Sequence, residues 1–271
     1  MGGFVSSLAP NVEFAMLYRH YERDFHTFFG SALSEGTRNI NEQGIYWGIK
    51  LTPIQKKLVL SAYYDRFTFP WLRFRVDAPS EGYEFLSRVS YNFSRNVRIY
   101  AQFRQEAKDR NVSSDEIQSP LGEIEQSIRR NYLINMDYQA ERILFLRSRV
   151  QFSSFDFNEQ LTHGFTLVQD VGLDFGKIRL DARFAVFDTD DFDNRQYVFE
   201  KDVLWAFSIP AYNGQGLRSY FLVRYKINRQ LDIWLRYARF DYRNQDSIGS
   251  GGQEITGNVQ SEIKAQLRVK F

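Results

Sequence analysis

"EIKAQLRVKF", residues 262–271, alternates without a break. Ile263, Ala265, Leu267, Val269 and Phe271 are apolar, and Lys264, Gln266, Arg268 and Lys270 between them are polar. A period of two puts the classes on opposite faces of a β-strand. The apolar face of such a strand meets either a protein core or lipid. The rest of the chain decides which.

The same alternation recurs about a dozen times from residue 12 onward. Val12, Phe14, Met16 and Tyr18 share one face, as do Ile45, Trp47 and Ile49, then Val97, Ile99, Ala101 and Phe103. Later segments repeat it: Ile178, Leu180, Ala182 and Phe184 oppose Arg179, Asp181 and Arg183, and Leu231, Ile233 and Leu235 oppose Asp232, Trp234 and Arg236. A helical period fits none of these as well. No apolar run approaches the ~18 residues of a membrane-spanning helix.

Composition favours lipid. Aromatic residues make up 17% of the 271 and are spread through nearly every segment, while charged residues make up 25%. Mean hydropathy is −0.45. Transmembrane β-barrels combine these properties, with aromatic girdles at the interfaces and a polar interior. The net charge of +2 gives no global basic field, and no nucleic-acid partner is expected. The absence of cysteine removes disulfide frameworks and thiolate metal sites.

Connections differ in length by turns. Short ones are 52–57, 94–96, 140–142, 176–177 and 228–230, and long ones are 22–43, 66–82, 106–127, 156–163, 188–196 and 244–258. Short periplasmic turns and long extracellular loops are the barrel pattern. The expected fold is therefore all-β, an antiparallel transmembrane β-barrel in a bacterial outer membrane, as one domain over 1–271. Both termini fall on the periplasmic side only if 195–210, "RQYVFEKDVLWAFSIP", holds two short strands reversing near Lys201-Asp202. That gives about fourteen strands, with 12–21 first. The opening "MGGFVSSLAPNVEF" has no signal-peptide pattern, so an exported form would have its leader outside this chain.

In this reading Arg98, Arg104, Arg147, Arg149, Arg179, Arg183, Arg224, Arg236, Lys264 and Arg268 line the lumen. Two readings stand. Acidic neighbours such as Asp170, Asp181 and Asp232 neutralise them and fill the interior, or the surplus forms an electropositive channel for anionic solutes. Ile263, Ala265, Leu267, Val269 and Phe271 face lipid and are expected to be the signal recognised by the barrel-assembly machinery. The function expected is a porin-like passive pore, and the alternative is a non-conducting barrel subunit or scaffold of an envelope complex. Loops 66–82 and 106–127 would then meet partner subunits or lipopolysaccharide. The acidic loop 188–193 reads as a solvated loop or a Ca²⁺ site. His20, His26 and His163 belong to no catalytic motif, so no enzyme, cofactor or metal is expected.

The stretches "FPWLRFRVDAPSEGYEFL" (69–86), "DVLWAFSIPAYNGQG" (202–216) and "DSIGSG" (246–251) resemble the barrel-forming part of a Bacteroidetes family of outer-membrane proteins. Members carry an N-terminal helix-hairpin-helix region similar to DNA-uptake proteins of the ComEA type. The resemblance implies an outer-membrane barrel and leaves open that the chain is the C-terminal portion of a larger one. The helix-hairpin-helix region is missing here, so the resemblance places no DNA-binding role on any residue.

Overall fold

Alternation becomes strand almost throughout. The computed structural model describes all residues except 28–29, 31–32, 55–56, 113–122, 250 and 271. Among the described residues thirteen strands form one sheet. The first seven are β1 (Gly2–Ala9), β2 (Val12–Tyr21), β3 (Glu42–Ile54), β4 (Leu58–Phe69), β5 (Ser80–Asn92), β6 (Val97–Asn111) and β7 (Ile124–Ala140). Next come β8 (Leu144–Phe157), β9 (Gln160–Asp174) and β10 (Ile178–Thr189). Two-residue strands β11 (Gln196–Tyr197) and β12 (Ala211–Tyr212) pair only with each other. The sheet resumes with β13 (Gln215–Lys226) and β14 (Leu231–Tyr242). A second small pair, β15 (Ser247–Ile248) and β16 (Ile255–Thr256), precedes the last sheet strand, β17 (Val259–Val269).

Sheet order follows chain order, so the expected all-β antiparallel meander is what forms. Three details differ from the sequence reading. First, β1 precedes the strand taken as first; its glycines and serines blur the alternation. Second, 195–210 adds no strand to the sheet, because Gln196–Tyr197 near its start pairs with Ala211–Tyr212 just beyond it rather than with β10 or β13. Among the described residues the sheet count is thus thirteen, close to the fourteen or so expected. Third, the connection read as 156–163 is a two-residue reversal at Asn158-Glu159, with φ of 52° and 59°. Positive φ at both central residues matches the twist of a right-handed hairpin. The long loops are correspondingly shorter: 66–69 and 80–82 belong to β4 and β5, and 106–111 and 124–127 to β6 and β7.

Contacts divide the chain into two compact units, Met1–Tyr91, Ala101–Tyr132 and Ser154–Leu161 in the first, Asn92–Tyr100, Leu133–Ser153 and Thr162–Phe271 in the second. In the first, Arg19 is buried between two carboxylates. Its Nε donates to Glu42 at 2.6 Å and its Nη1 to Asp65 at 2.8 Å. Gly44 lies directly opposite Arg19 across the β2–β3 ladder. A Cβ there would sit 2.6 Å from Arg19 Cζ, which both carboxylates pin in place. Gly44→Ala is expected to cost about 1–3 kcal/mol as an overpacking substitution. Urea unfolding of the two proteins checks this, and equal midpoints would show that Arg19 moves freely.

In the second unit the faces are inverted relative to a soluble sheet. Leu235 is 52% exposed, while its neighbours Trp234 and Arg236 are 6% and 0% exposed. Register carries the inversion from strand to strand. Leu180, Val223, Leu235 and Ala265 stand in one cross-strand row, and Ile178, Tyr225, Ile233 and Leu267 in the next. The opposite face carries Asp181, Leu222, Arg236 and Lys264 in one row and Arg183, Tyr220, Ala238 and Glu262 in another. A one-residue slip would exchange the faces, so the pattern fixes the register.

Candidate functional site: a segment folded onto the basic face

The connection 190–214 is too long for a hairpin, and the sequence gives it something to bind. Gln196, Val198, Glu200 and Tyr212 are buried, while Tyr197, Phe199, Trp205, Phe207 and Ile209 are exposed. One side of the segment therefore packs on the sheet, and the other is an aromatic surface, with the Phe199 and Phe207 rings 5.6 Å apart. A bridge between Glu200 and Ser208 continues the pairing of β11 with β12. Val198 and Tyr212 join an apolar cluster with Phe187, Phe240 and Tyr242, and Val203 and Leu204 pack against Tyr220 and Trp234.

Glu200 is the centre of the contact. Its carboxylate is fully buried and accepts from Arg218 Nε at 2.8 Å, Arg218 Nη2 at 2.6 Å, Arg236 Nη2 at 2.5 Å and Tyr212 Oη at 2.8 Å. The Arg218 fork is bidentate, the strong geometry for a guanidinium and a carboxylate. Burial, and after it the Glu200 charge, push the Tyr212 phenol well above its ordinary range, so it stays a donor. The side chain of Asp202, also fully buried, accepts from Lys264 Nζ at 2.8 Å and from its neighbour's backbone, Val203 N, at 2.7 Å. Arg236 reaches toward Asp202 as well, Nε to Oδ1 3.8 Å, and donates Nη1 to Glu262 at 2.8 Å. Between the two acids, Lys201 pairs with Asp181. Arg183 and Arg236 both lie over the Tyr220 ring, at 5.5 and 5.2 Å.

The other expected lumen residues pair in the same manner. Arg183 forks onto Asp170 at 2.5 and 2.7 Å, and Arg179 donates to Asp181 at 3.1 Å. Arg224 and Arg268 share Asp232 and lie 5.2 Å from the Trp234 ring each. Arg147 donates to Asp137 at 2.7 Å, with Arg98 3.7 Å from the same carboxylate. Arg149 donates to Asn135 and to Tyr100 Oη at 3.2 and 3.0 Å. Arg104, in the first unit, donates to Glu84 and Glu106 at 2.5 and 2.9 Å. Each of these arginines thus has an acidic or polar side chain as its neighbour. The residue missed is Glu200, whose signal was a charged triplet, Glu-Lys-Asp, inside an otherwise apolar stretch.

The remaining candidates separate. Ile263, Leu267 and Val269 are exposed on β17, with Ala265 on the same face, and Phe271 lies outside the described residues. In loop 188–193 the acids cap their own loop: Asp190 accepts from His163 N at 2.8 Å, and Asp191 from Thr162 Oγ1 at 2.6 Å and Asn194 N at 2.8 Å. Thr162 and Ser153 are engaged with Asp191 and the Asn194 carbonyl. Among the described residues no three His, Asp or Glu side chains converge as a metal site. In the loop after β4, Trp71 and Phe74 are exposed, with Arg23 5.0 Å from the Trp71 ring. Residues 113–122, the centre of the second expected contact loop, lie outside the described residues.

No protein-family model matches the chain, and no curated protein is similar to it in sequence. Solved structures similar in fold include in-vitro folded OmpT, an outer membrane protein of Vibrio cholerae. It is 13% identical with a TM-score of 0.47, over 95% of this chain and 76% of that one. A loop L8 deletion mutant of OmpT gives the same identity and score. The RagAB peptide importer in its "closed-closed" state is 10% identical with a TM-score of 0.48, over 98% of this chain and 43% of that one. Likeness of this depth says nothing about substrate or activity.

Proposed function

We propose that the chain is an integral β-barrel protein of a bacterial outer membrane, acting as a porin-like passive channel for small solutes with a lean toward anions. The observation that carries this reading is the inversion of burial: Leu235, Ile263 and Leu267 are exposed while Asp232 and Arg236 are buried. A protein in water would gain by turning these strands over, since burying a Leu or Ile side chain contributes ~1.5–3 kcal/mol. In lipid the same arrangement is the stable one, because apolar side chains face the hydrocarbon and charged ones the interior.

Leu235→Arg tests the solvent directly. At mid-depth of a bilayer it is expected to cost ~2–4 kcal/mol, whereas an exposed substitution in water stays within about 0.5 kcal/mol. Unfolding of protein folded into lipid vesicles gives the difference, and a near-zero value would remove the membrane reading. Conductance in a planar bilayer tests the channel.

A second reading, a non-conducting barrel subunit of an envelope complex, is supported by the paired cations and by the segment folded over them. The exposed Trp71 and Phe74 would then contact a partner or lipopolysaccharide. In either reading the apolar row of β17 is what the assembly machinery meets.

A further inference from the structure

The cations that hold the 190–214 segment belong to the sheet, and the carboxylates that satisfy them come mostly from the segment. Arg236 and Lys264 stand directly opposite each other on β14 and β17. Like charges so placed destabilise a ladder. Arg218 lies on the same face, opposite Phe240, with its guanidinium 4.2 Å from that ring. Of the carboxylates bonded to these three side chains among the described residues, only Glu262 comes from a strand of the sheet, and its side chain is 46% exposed. The side chains of Glu200 and Asp202 are fully buried. Without them, three cations would face one partly hydrated carboxylate.

We propose that Arg218, Arg236 and Lys264 form a binding site for dicarboxylate solutes, occupied in this structure by the chain's own Glu200 and Asp202. The site deepens the pore reading and rests on its charged face being open to water. Arg218 supplies a bidentate fork, which any free carboxylate reproduces. Arg236 bonds Glu200 and lies 3.8 Å from Asp202, so the two carboxylates flank one guanidinium, a spacing that suits a short aliphatic diacid. Lys264 supplies the third cation, paired with Asp202. The segment is then a tethered competitor: its local concentration keeps the site filled, and a diacid at sufficient concentration displaces it. Lys201 raises the threshold for displacement, because its pairing with Asp181 is lost when the segment leaves and must be offset by any incoming ligand.

The chain has no cysteine, so spin labels can be placed without background. Trp205→Cys on the segment and Arg229→Cys in the turn after β13 give a nitroxide pair whose distance reports whether the segment is seated. In vesicles without ligand a single distance is expected. Succinate should add a longer, saturable population, and neutral succinamide should not. The double variant Glu200→Gln/Asp202→Asn removes the internal competitor and should bind succinate at least about tenfold more tightly by calorimetry. An unchanged distance in saturating succinate, or the same response to succinamide, would overturn the proposal without any need for the double variant. The outcomes separate from those of the channel test. Conductance without succinate binding sinks this site alone, and succinate binding without conductance sinks the pore alone.

Discussion

Arg236→Ala is expected to lower the unfolding free energy by about 3–5 kcal/mol, the range for removing one partner of a buried ion pair. The side chain is fully buried and bonds Glu200, Glu262 and the Lys201 carbonyl. Alanine leaves Glu200 to Arg218 and Tyr212 and opens a void beneath Tyr220, where the guanidinium packed. Much of the loss is the cost of a buried charge left short of partners, so Arg236→Met with Glu200→Gln should recover a large part of it. Denaturant unfolding of the three proteins in vesicles measures both steps. A loss under about 1 kcal/mol would mean that water already screens this network as it does surface pairs.

The second large effect concerns conduction. Replacing 197–210 by a short Gly-Ser link removes Glu200, Lys201 and Asp202 together with the exposed aromatic side of the segment. Conductance in a planar bilayer should rise severalfold. The reversal potential in a salt gradient should shift toward anion selectivity, because Arg218, Arg236 and Lys264 lose two fixed carboxylates. Identical conductance and selectivity would show that the segment lies outside the conducting path. No current from either protein across a wide voltage range would favour the scaffold reading.

Much of this fold was legible because β9, β10, β13, β14 and β17 alternate over most of their length, and register then follows from keeping one apolar face. The failures have separate physical causes. In β1, Gly2, Gly3, Ser6 and Ser7 carry too little side-chain contrast for a period of two to show. Asn158-Glu159 turns without glycine, and Asn is the only hint that positive φ is tolerated there. Residues 195–210 are partly extended and do alternate, so periodicity alone could not tell a sheet strand from a segment that pairs with itself. The basic residues were legible as one face, but their partners on the segment were not. A clue was available in the register: once β14 and β17 are aligned by their apolar rows, Arg236 falls opposite Lys264, and that like-charge pair calls for an acid from elsewhere.

The same geometry imposes an order of assembly. Glu200 and Asp202 precede every sheet residue that holds them, with Lys264 following Asp202 by 62 residues and Arg236 following Glu200 by 36. The segment's full set of ion pairs is therefore complete only with β13, β14 and β17 all in place. On the β14–β17 ladder Glu262 bonds both Arg236 and Lys264, and Glu200 and Asp202 add two further carboxylates to this like-charge pair. Seating the segment with all its ion pairs thus depends on the register of the final strand, which sets Arg236 beside Lys264 for two acids two residues apart to bridge.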